Sequence, residues 1–243
     1  MKHVRQLLLL GSFLTFHALG TFAQTVASDF DRVRATYRSL KGIYAELEYV
    51  VFQGHDGTRA VDVKTGVFKS DMTSSFLFEI AGNRQCHNPA YDIVVSQEEK
   101  TIFVQKRKDT PVQTGPLPGI DTSGGAWKTA VKVGEGNGIR TWRISFRSMP
   151  GSEFEKMDIS IDTQTFLIRS VSLYYRAKMA SYLYSSDPAD EYYPKMTITY
   201  KNVRINPAFG PEEFSEKKYI RTEGTDIKPT NVYANYEILI QNP

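Results

Sequence analysis

The sequence is poor in the residues that build disulfides and metal sites. Cys86 is the only cysteine among 243 residues, so no intramolecular disulfide can form and a folded domain must rely on its hydrophobic core. Two of the four histidines lie within the first 23 residues, which leaves His55 and His87 in the rest of the chain. No second Cys/His pair is present to complete a tetrahedral zinc site. We therefore expect neither a metal nor any other cofactor.

The usual signatures of catalysis are also missing. There is no Gly-x-Ser-x-Gly motif and no P-loop, and the glycine-rich run 134–138 precedes a strand-like pattern rather than a helix that could receive a phosphate. Its Asn137-Gly138 pair instead predicts a tight hairpin turn. Two carboxylate pairs, Glu98-Glu99 and Glu212-Glu213, fall in polar turns, where solvation is the usual role. These patterns indicate a protein that is not an enzyme.

The charge balance gives no reason to expect nucleic acid as a partner. The chain has 30 basic and 27 acidic residues. Lys2 and Arg5 belong to an N-terminal segment without acidic residues, so the remaining chain has 28 basic residues against 27 acidic ones. Binding to a phosphate backbone normally needs a clear basic excess.

The N-terminus has the composition of a secretory signal peptide. Lys2 and Arg5 precede an apolar run from Leu7 to Leu19, and small residues, Thr21 and Ala23, end the segment. The run is shorter than the roughly 20 residues that cross a bilayer comfortably, although an uncleaved anchor helix is the alternative. We predict a signal peptide over 1–23, cleavage after Ala23, export to the periplasm and a single domain over 24–243.

The rest of the chain begins with one helical pattern and continues with strand patterns. Phe30, Val33, Tyr37 and Leu40 recur at intervals of three and four, which predicts an amphipathic helix. From residue 43 onward, apolar and polar residues alternate in successive segments, as in antiparallel sheet with one covered face. A Tyr-rich segment, 176–194, interrupts this pattern and predicts a flap. Its tyrosines are Tyr182, Tyr184, Tyr192 and Tyr193.

The apolar face of such a sheet must be covered. The sheet can close on itself, a helix can pack on it, or an apolar ligand can bind there. From the pattern alone, a filled core and a ligand cavity are equally compatible with the sequence.

Several short motifs in this order resemble those of the periplasmic lipoprotein carriers of the LolA-like superfamily. The chain has Leu40-Lys41-Gly42 after the helix, Gly66-Val67-Phe68-Lys69 in a strand, and a hairpin over 92–105. Later it has the run 196–207, MTITYKNVRINP, followed by Glu213-Phe214. The resemblance implies that the antiparallel sheet forms an incomplete barrel. Together with the patterns above, this predicts a mainly β fold, a curved antiparallel sheet that forms an incomplete barrel, with an N-terminal amphipathic helix and a Tyr-rich flap.

The same resemblance implies a cavity for acyl chains. In the carriers a basic residue shortly after the glycine-containing strand helps to hold a lid closed, but here the equivalent place falls near Met72 and no arginine stands there. A divergent lipid-binding relative therefore fits better than a lipoprotein shuttle.

Our leading hypothesis is an exported protein that binds an acyl chain, a lipid or lipoprotein cargo in a half-barrel cavity. The alternative is a cell-envelope structural or protein-interaction module with a filled core and the flap tyrosines as its partner surface, since tyrosine is favoured at interfaces. The predicted cavity residues are Phe76, Phe78, Phe103, Trp142, Ile144, Phe146, Leu173 and Ile198.

Overall fold

The computed structural model describes residues 26–107, 127–147, 153–177, 192–224 and 226–241. These residues form one α-helix, α1 (26–39), fourteen strands and two short 3₁₀ helices (Glu216–Lys218 and Asn231–Tyr233). No helix in this part of the chain has the length and apolarity needed to cross a membrane. The strands are β1 (Ile43–Phe52), β2 (Ala60–Ser70), β3 (Phe76–Ile80), β4 (Asn83–His87), β5 (Tyr91–Ser96), β6 (Thr101–Lys106), β7 (Trp127–Gly136), β8 (Ile139–Phe146), β9 (Phe154–Asp162), β10 (Ile168–Tyr175), β11 (Lys195–Ile205), β12 (Ile220–Glu223), β13 (Asp226–Pro229) and β14 (Glu237–Gln241).

The predicted fold class is confirmed, since the chain is mainly β with an N-terminal amphipathic helix and sheet that does not close into a barrel. The described residues separate into two compact units. The smaller unit contains 26–36, 127–147, 153–177 and 192–195, and the larger unit contains the remainder. The single domain predicted over 24–243 stays a prediction. Most of the predicted flap, including Tyr182 and Tyr184, lies outside the described residues, as does the predicted signal peptide.

The smaller unit is an antiparallel sheet in the order β10-β9-β8-β7, with the start of α1 packed on it. The predicted helical stripe is confirmed for Phe30, Val33 and Tyr37, which are buried, whereas Leu40 follows the last helical residue. Asp29, on the same buried side, has only 4% of its surface exposed.

The hairpin predicted from Asn137-Gly138 is also confirmed. β7 ends at Gly136 and β8 begins at Ile139, which leaves a two-residue turn. Asn137 and Gly138 have φ angles of 50° and 74°, the positive values that a type I′ turn needs.

The larger unit contains a sheet in the order β14-β6-β5-β4-β3-β2-β1-β11, together with the small hairpin β12-β13. β1 to β6 pair as successive antiparallel neighbours, whereas β14 runs parallel to β6. Two side-chain bonds join β11 to β1, from Lys201 to Glu48 and from Asn202 to Glu46, each 2.7 Å long.

One face of strands β3 to β6 carries a filled hydrophobic core. The residues after β11 fold over this face and supply Tyr219, Ile220 and Tyr233, all buried. They pack on a set of strand residues whose exposure does not exceed 3%: Leu77, Cys86, Ile93, Val95, Ile102 and Val104. This core covers only one face of β3 to β6, and the opposite face carries a different set of side chains.

Candidate functional site

A row of mostly apolar side chains crosses the larger unit's sheet on the face opposite its filled core. The strand registers pair Ala45 with Phe68, Phe68 with Phe78, and Phe78 with Gln85. They continue from Gln85 to Val94 and from Val94 to Phe103. Paired residues of neighbouring strands point to the same face. We call Phe68, Phe78, Gln85, Val94 and Phe103 the phenylalanine row.

Exposure rises along the phenylalanine row. Phe68 is 8% exposed and Phe78 is half-buried, whereas Val94 is 43% and Phe103 is 46% exposed. Val94 and Phe103 are a direct cross-strand pair, so their exposed surfaces are contiguous. Single exposed hydrophobic residues are common on protein surfaces, whereas contiguous apolar surface often marks a binding site.

Aromatic rings stand beside the buried end of the row. The ring centroid of Tyr49 lies 6.2 Å from that of Phe78, with the planes at 79°, and burial raises the pKa of Tyr49 to about 12. Phe76 is one of the predicted cavity residues, and its ring centroid lies 6.3 Å from that of Phe68. This end of the face is therefore strongly apolar.

Three polar side chains, those of Gln85, His87 and Asp92, lie on the same face as these aromatic rings. His87 is 2% exposed and stacks on Phe76, with ring centroids 4.8 Å apart and planes at 9°. Its Nδ1 lies 3.1 Å from Asp92 Oδ2, but neither ring nitrogen makes a well-formed hydrogen bond within the described residues. Gln85 Nε2 donates to Asp92 Oδ1 at 3.3 Å. A buried imidazole without a well-formed hydrogen bond is costly, which makes His87 a candidate polar contact for a ligand.

Two of the predicted cavity residues in the smaller unit are almost completely buried. Trp142 and Ile144 are 1% and 0% exposed. Trp142 Nε1 donates to Asp29 Oδ2 at 2.9 Å, and Arg140 Nη1 donates to the same oxygen at 2.7 Å. Phe30 packs edge-on against Trp127 at 5.6 Å. In this unit the N-terminal helix covers the sheet.

The other predicted cavity residues are divided between the two units. Phe146 is half-buried and Leu173 is 7% exposed in the smaller unit, while Ile198 is 8% exposed in the larger one. The eight residues therefore do not share one surface within either unit. That they line a ligand cavity stays a prediction, and Phe76, Phe78 and Phe103 are the ones that lie on or beside the phenylalanine row.

Cys86 belongs to the filled core and not to the phenylalanine row. It is 1% exposed, and burial raises the pKa of its thiol to about 12. Its Sγ lies 3.5 Å from the carbonyl oxygen of Phe214. A thiol in this environment is protonated at neutral pH and packs as a small apolar side chain.

The described residues contain no group of three or more His, Cys, Asp or Glu side chains placed to hold a metal ion. Sequence reasoning missed three members of the phenylalanine row, Phe68, Gln85 and Val94. For Val94 a signal was present, because Ile93-Val94-Val95 is apolar on both faces of its strand, as expected where both faces are used.

Comparison with known proteins gives matches among solved structures only. No protein-family model matches the chain, and no curated protein matches it. A putative outer membrane lipoprotein-sorting protein domain from Vibrio parahaemolyticus is 12% identical, with 79% of this chain and 96% of that one covered and a TM-score of 0.38. A LolA superfamily protein from Nitrosomonas europaea is 9% identical, with 81% and 98% covered and a TM-score of 0.34.

The lipoprotein LppX from Mycobacterium tuberculosis is 9% identical, with 77% of this chain and 98% of that one covered and a TM-score of 0.39. One of these descriptions names the superfamily that the sequence resembles. With TM-scores below 0.5, the matches carry no argument about a ligand, a partner or a cell compartment.

Proposed function

We propose that the chain is an exported, non-catalytic protein that binds an apolar ligand, an acyl chain of a lipid or of lipoprotein cargo, along the phenylalanine row. One observation carries the proposal. Val94 and Phe103 form an exposed apolar pair on the face opposite a filled core, and Phe68, Phe76 and Phe78 lie on the same face beyond Gln85. An acyl chain laid along this row removes apolar surface from water at about 25 cal/mol per Å².

The polar side chains beside the row favour an amphiphile over a pure hydrocarbon. His87, Gln85 and Asp92 lie next to the phenylalanines on the same face, and the nitrogens of His87 lack well-formed hydrogen bonds in the described chain. Sites for small ligands commonly combine an apolar surface with a few polar groups that fix orientation. We assign the acyl portion to the phenylalanine row and the polar end of the ligand to this trio.

Substitution of the exposed pair tests the proposal. Phe103→Asp or Val94→Asp is expected to weaken binding of an apolar fluorescent probe such as cis-parinaric acid by about tenfold, because a charge is placed where the chain would lie. The melting temperature is expected to change little, since both side chains are already half exposed. Fluorescence titration and thermal denaturation measure the two quantities.

Val63→Asp is the matched control, because Val63 is 56% exposed in the same sheet and points to the opposite face. It is expected to leave probe binding unchanged. Equal affinity in all three variants would rule out the phenylalanine row as the binding surface. Native mass spectrometry and organic extraction of the protein purified from its own cells should show a co-purifying lipid.

The alternative, a structural or interaction module of the cell envelope, has one observation in its favour. Tyr193, the last tyrosine of the predicted flap, is 46% exposed. In that case Tyr193→Ala would weaken capture of an envelope partner, while the phenylalanine-row variants would behave like the wild-type protein.

The proposed compartment is the periplasm, reached through a signal peptide cleaved after Ala23. N-terminal sequencing of the protein expressed from its full gene in a Gram-negative host should begin at Gln24, because the small side chains of Thr21 and Ala23 suit the peptidase. Ala23→Leu is expected to retain the unprocessed form, detected as a heavier band. A mature protein that still begins at Met1 would contradict this proposal.

A further inference from the structure

A basic groove lies on the core side of the larger unit's sheet, the side opposite the phenylalanine row. Its volume is about 600 Å³. Four cationic side chains from three segments line it: Arg84 of β4, Lys217 and Lys218 of the first 3₁₀ helix, and Arg221 of β12. Among the described residues, none that lines the groove carries a carboxylate.

The four cations differ in how far they are neutralised. Arg84 is held in place, because its Nε lies 2.8 Å from Glu79 Oε1 and its Nη1 donates to Tyr233 Oη at 3.2 Å. Lys218 Nζ donates to a backbone carbonyl, that of Glu213, at 3.0 Å. This bond orients the ammonium group without cancelling its charge.

Lys217 and Arg221 are the two cations that can reach a ligand most freely. The ammonium group of Lys217 has no ion-pair or hydrogen-bond partner within the described residues. Arg221 Nε lies 3.4 Å from Glu223 Oε1, but both side chains are about half exposed and Glu223 also pairs with Lys228. Exposed pairs of this kind contribute little, so the groove keeps a net positive charge.

An apolar residue stands among these charges. Val232 lines the groove and is 79% exposed, the largest exposure of any large hydrophobic side chain in the described chain. Cations around an exposed apolar side chain match the surface of an anionic bilayer, where phosphate groups meet the first part of the acyl layer. A soluble phosphate ion has no apolar surface that could contact Val232.

From this arrangement we propose that the basic groove binds the phosphate group of anionic phospholipids and docks the larger unit on a membrane surface. Lys217 and Arg221 contact the phosphate, Arg84 and Lys218 add fixed positive charge, and Val232 enters the interface. The groove and the phenylalanine row lie on opposite faces of the sheet, so either proposal can fail without the other.

Vesicle binding tests the docking site. The mature protein is expected to co-sediment with vesicles that contain phosphatidylglycerol and not with phosphatidylcholine vesicles, and raising the ionic strength should release it. Lys217→Gln combined with Arg221→Gln is expected to lower the partition coefficient by about 25-fold, because each cation near an anionic surface contributes about fivefold. Val232→Ser should lower it by about threefold.

Lys41→Gln combined with Lys106→Gln is the matched control, since it removes two exposed cations of the same unit outside the groove. An equal loss in this control would show unspecific attraction and overturn the site. Calorimetric titration with inorganic phosphate tests whether the groove binds free phosphate instead of the phosphate group of a phospholipid. Saturable phosphate binding without vesicle binding would overturn membrane docking, as would equal binding to both kinds of vesicle.

Discussion

Replacing Asp29 by alanine is expected to lower the free energy of unfolding of the smaller unit by about 3 kcal/mol. The carboxylate is almost completely buried and accepts hydrogen bonds from both Trp142 and Arg140. Its removal leaves a buried indole N–H without a partner and a half-buried guanidinium with only Glu135. Both groups would then bear a desolvation cost that is now offset.

The measurement is favourable, because the chain has two tryptophans and both, Trp127 and Trp142, lie in the smaller unit. Denaturation followed by tryptophan fluorescence therefore reports on this unit. Asp31→Ala is the matched control on the same helical turn, where the carboxylate is 65% exposed and pairs with Arg34. It is expected to change the midpoint only slightly, and an equal shift in both variants would disprove the role assigned to Asp29.

Replacing Gly66 by alanine is the second change with a large expected effect, a loss of about 3 kcal/mol in the larger unit. Gly66 lies within β2 beside β3, and a β-carbon at this position would stand 2.3 Å from the carbonyl oxygen of Glu79. That oxygen belongs to the neighbouring backbone, so the strands must separate locally to admit a methyl group. The close approach of β2 and β3 at this position therefore requires glycine.

Far-UV circular dichroism with increasing denaturant measures this loss over the sheet. Gly136→Ala provides the control, because it is also a strand glycine with an ordinary φ angle, yet a β-carbon there meets nothing within 4 Å. We expect Gly136→Ala to be neutral or slightly stabilising, since alanine reduces the entropy of the unfolded chain. If Gly66→Ala unfolds at the same midpoint as Gly136→Ala, the close approach has no energetic importance.

The local structure was largely predictable from sequence wherever one periodicity dominated. The stripe of α1, the Asn137-Gly138 turn and the hairpin that contains β5 and β6 all follow from spacing and turn chemistry. These features depend on residues close together in the chain. Short-range physics determines them, so a single sequence is enough.

The direction in which β3 faces was not predictable in the same way. Alternation places Phe76 and Phe78 on one face of the strand and Leu77 on the other, but it does not tell which face is covered; Leu77 is the most buried residue of the strand at 3%. The reason is long-range: Tyr219, Ile220 and Tyr233 come from the far end of the larger unit and cover the Leu77 side. The sequence of residues 76–80 alone does not predict that these distant residues cover the Leu77 side.

The candidate site shows the same limit. Large hydrophobic residues could be picked from the sequence, but their assignment to one of two units, and to a filled or an exposed face, depends on strand order and register. Trp142 and Phe103 look alike as aromatic members of alternating strands, yet one is 1% and the other 46% exposed. The basic groove was missed because Arg84 is far in sequence from the Lys217-Lys218 pair.

The parallel pairing of β14 with β6 has a consequence for how the chain is made. Glu237 pairs with Thr101, so the outer edge of β6 finds this neighbour only after all of the residues between them have been synthesised. Until then β6 presents unpaired backbone groups and the side chains of Ile102 and Val104 without their full cover. Such an edge is a template for pairing with a second copy of the same segment. Pairing of β14 with β6 therefore covers this edge in one step, so pairing between copies is favoured before that step and opposed after it.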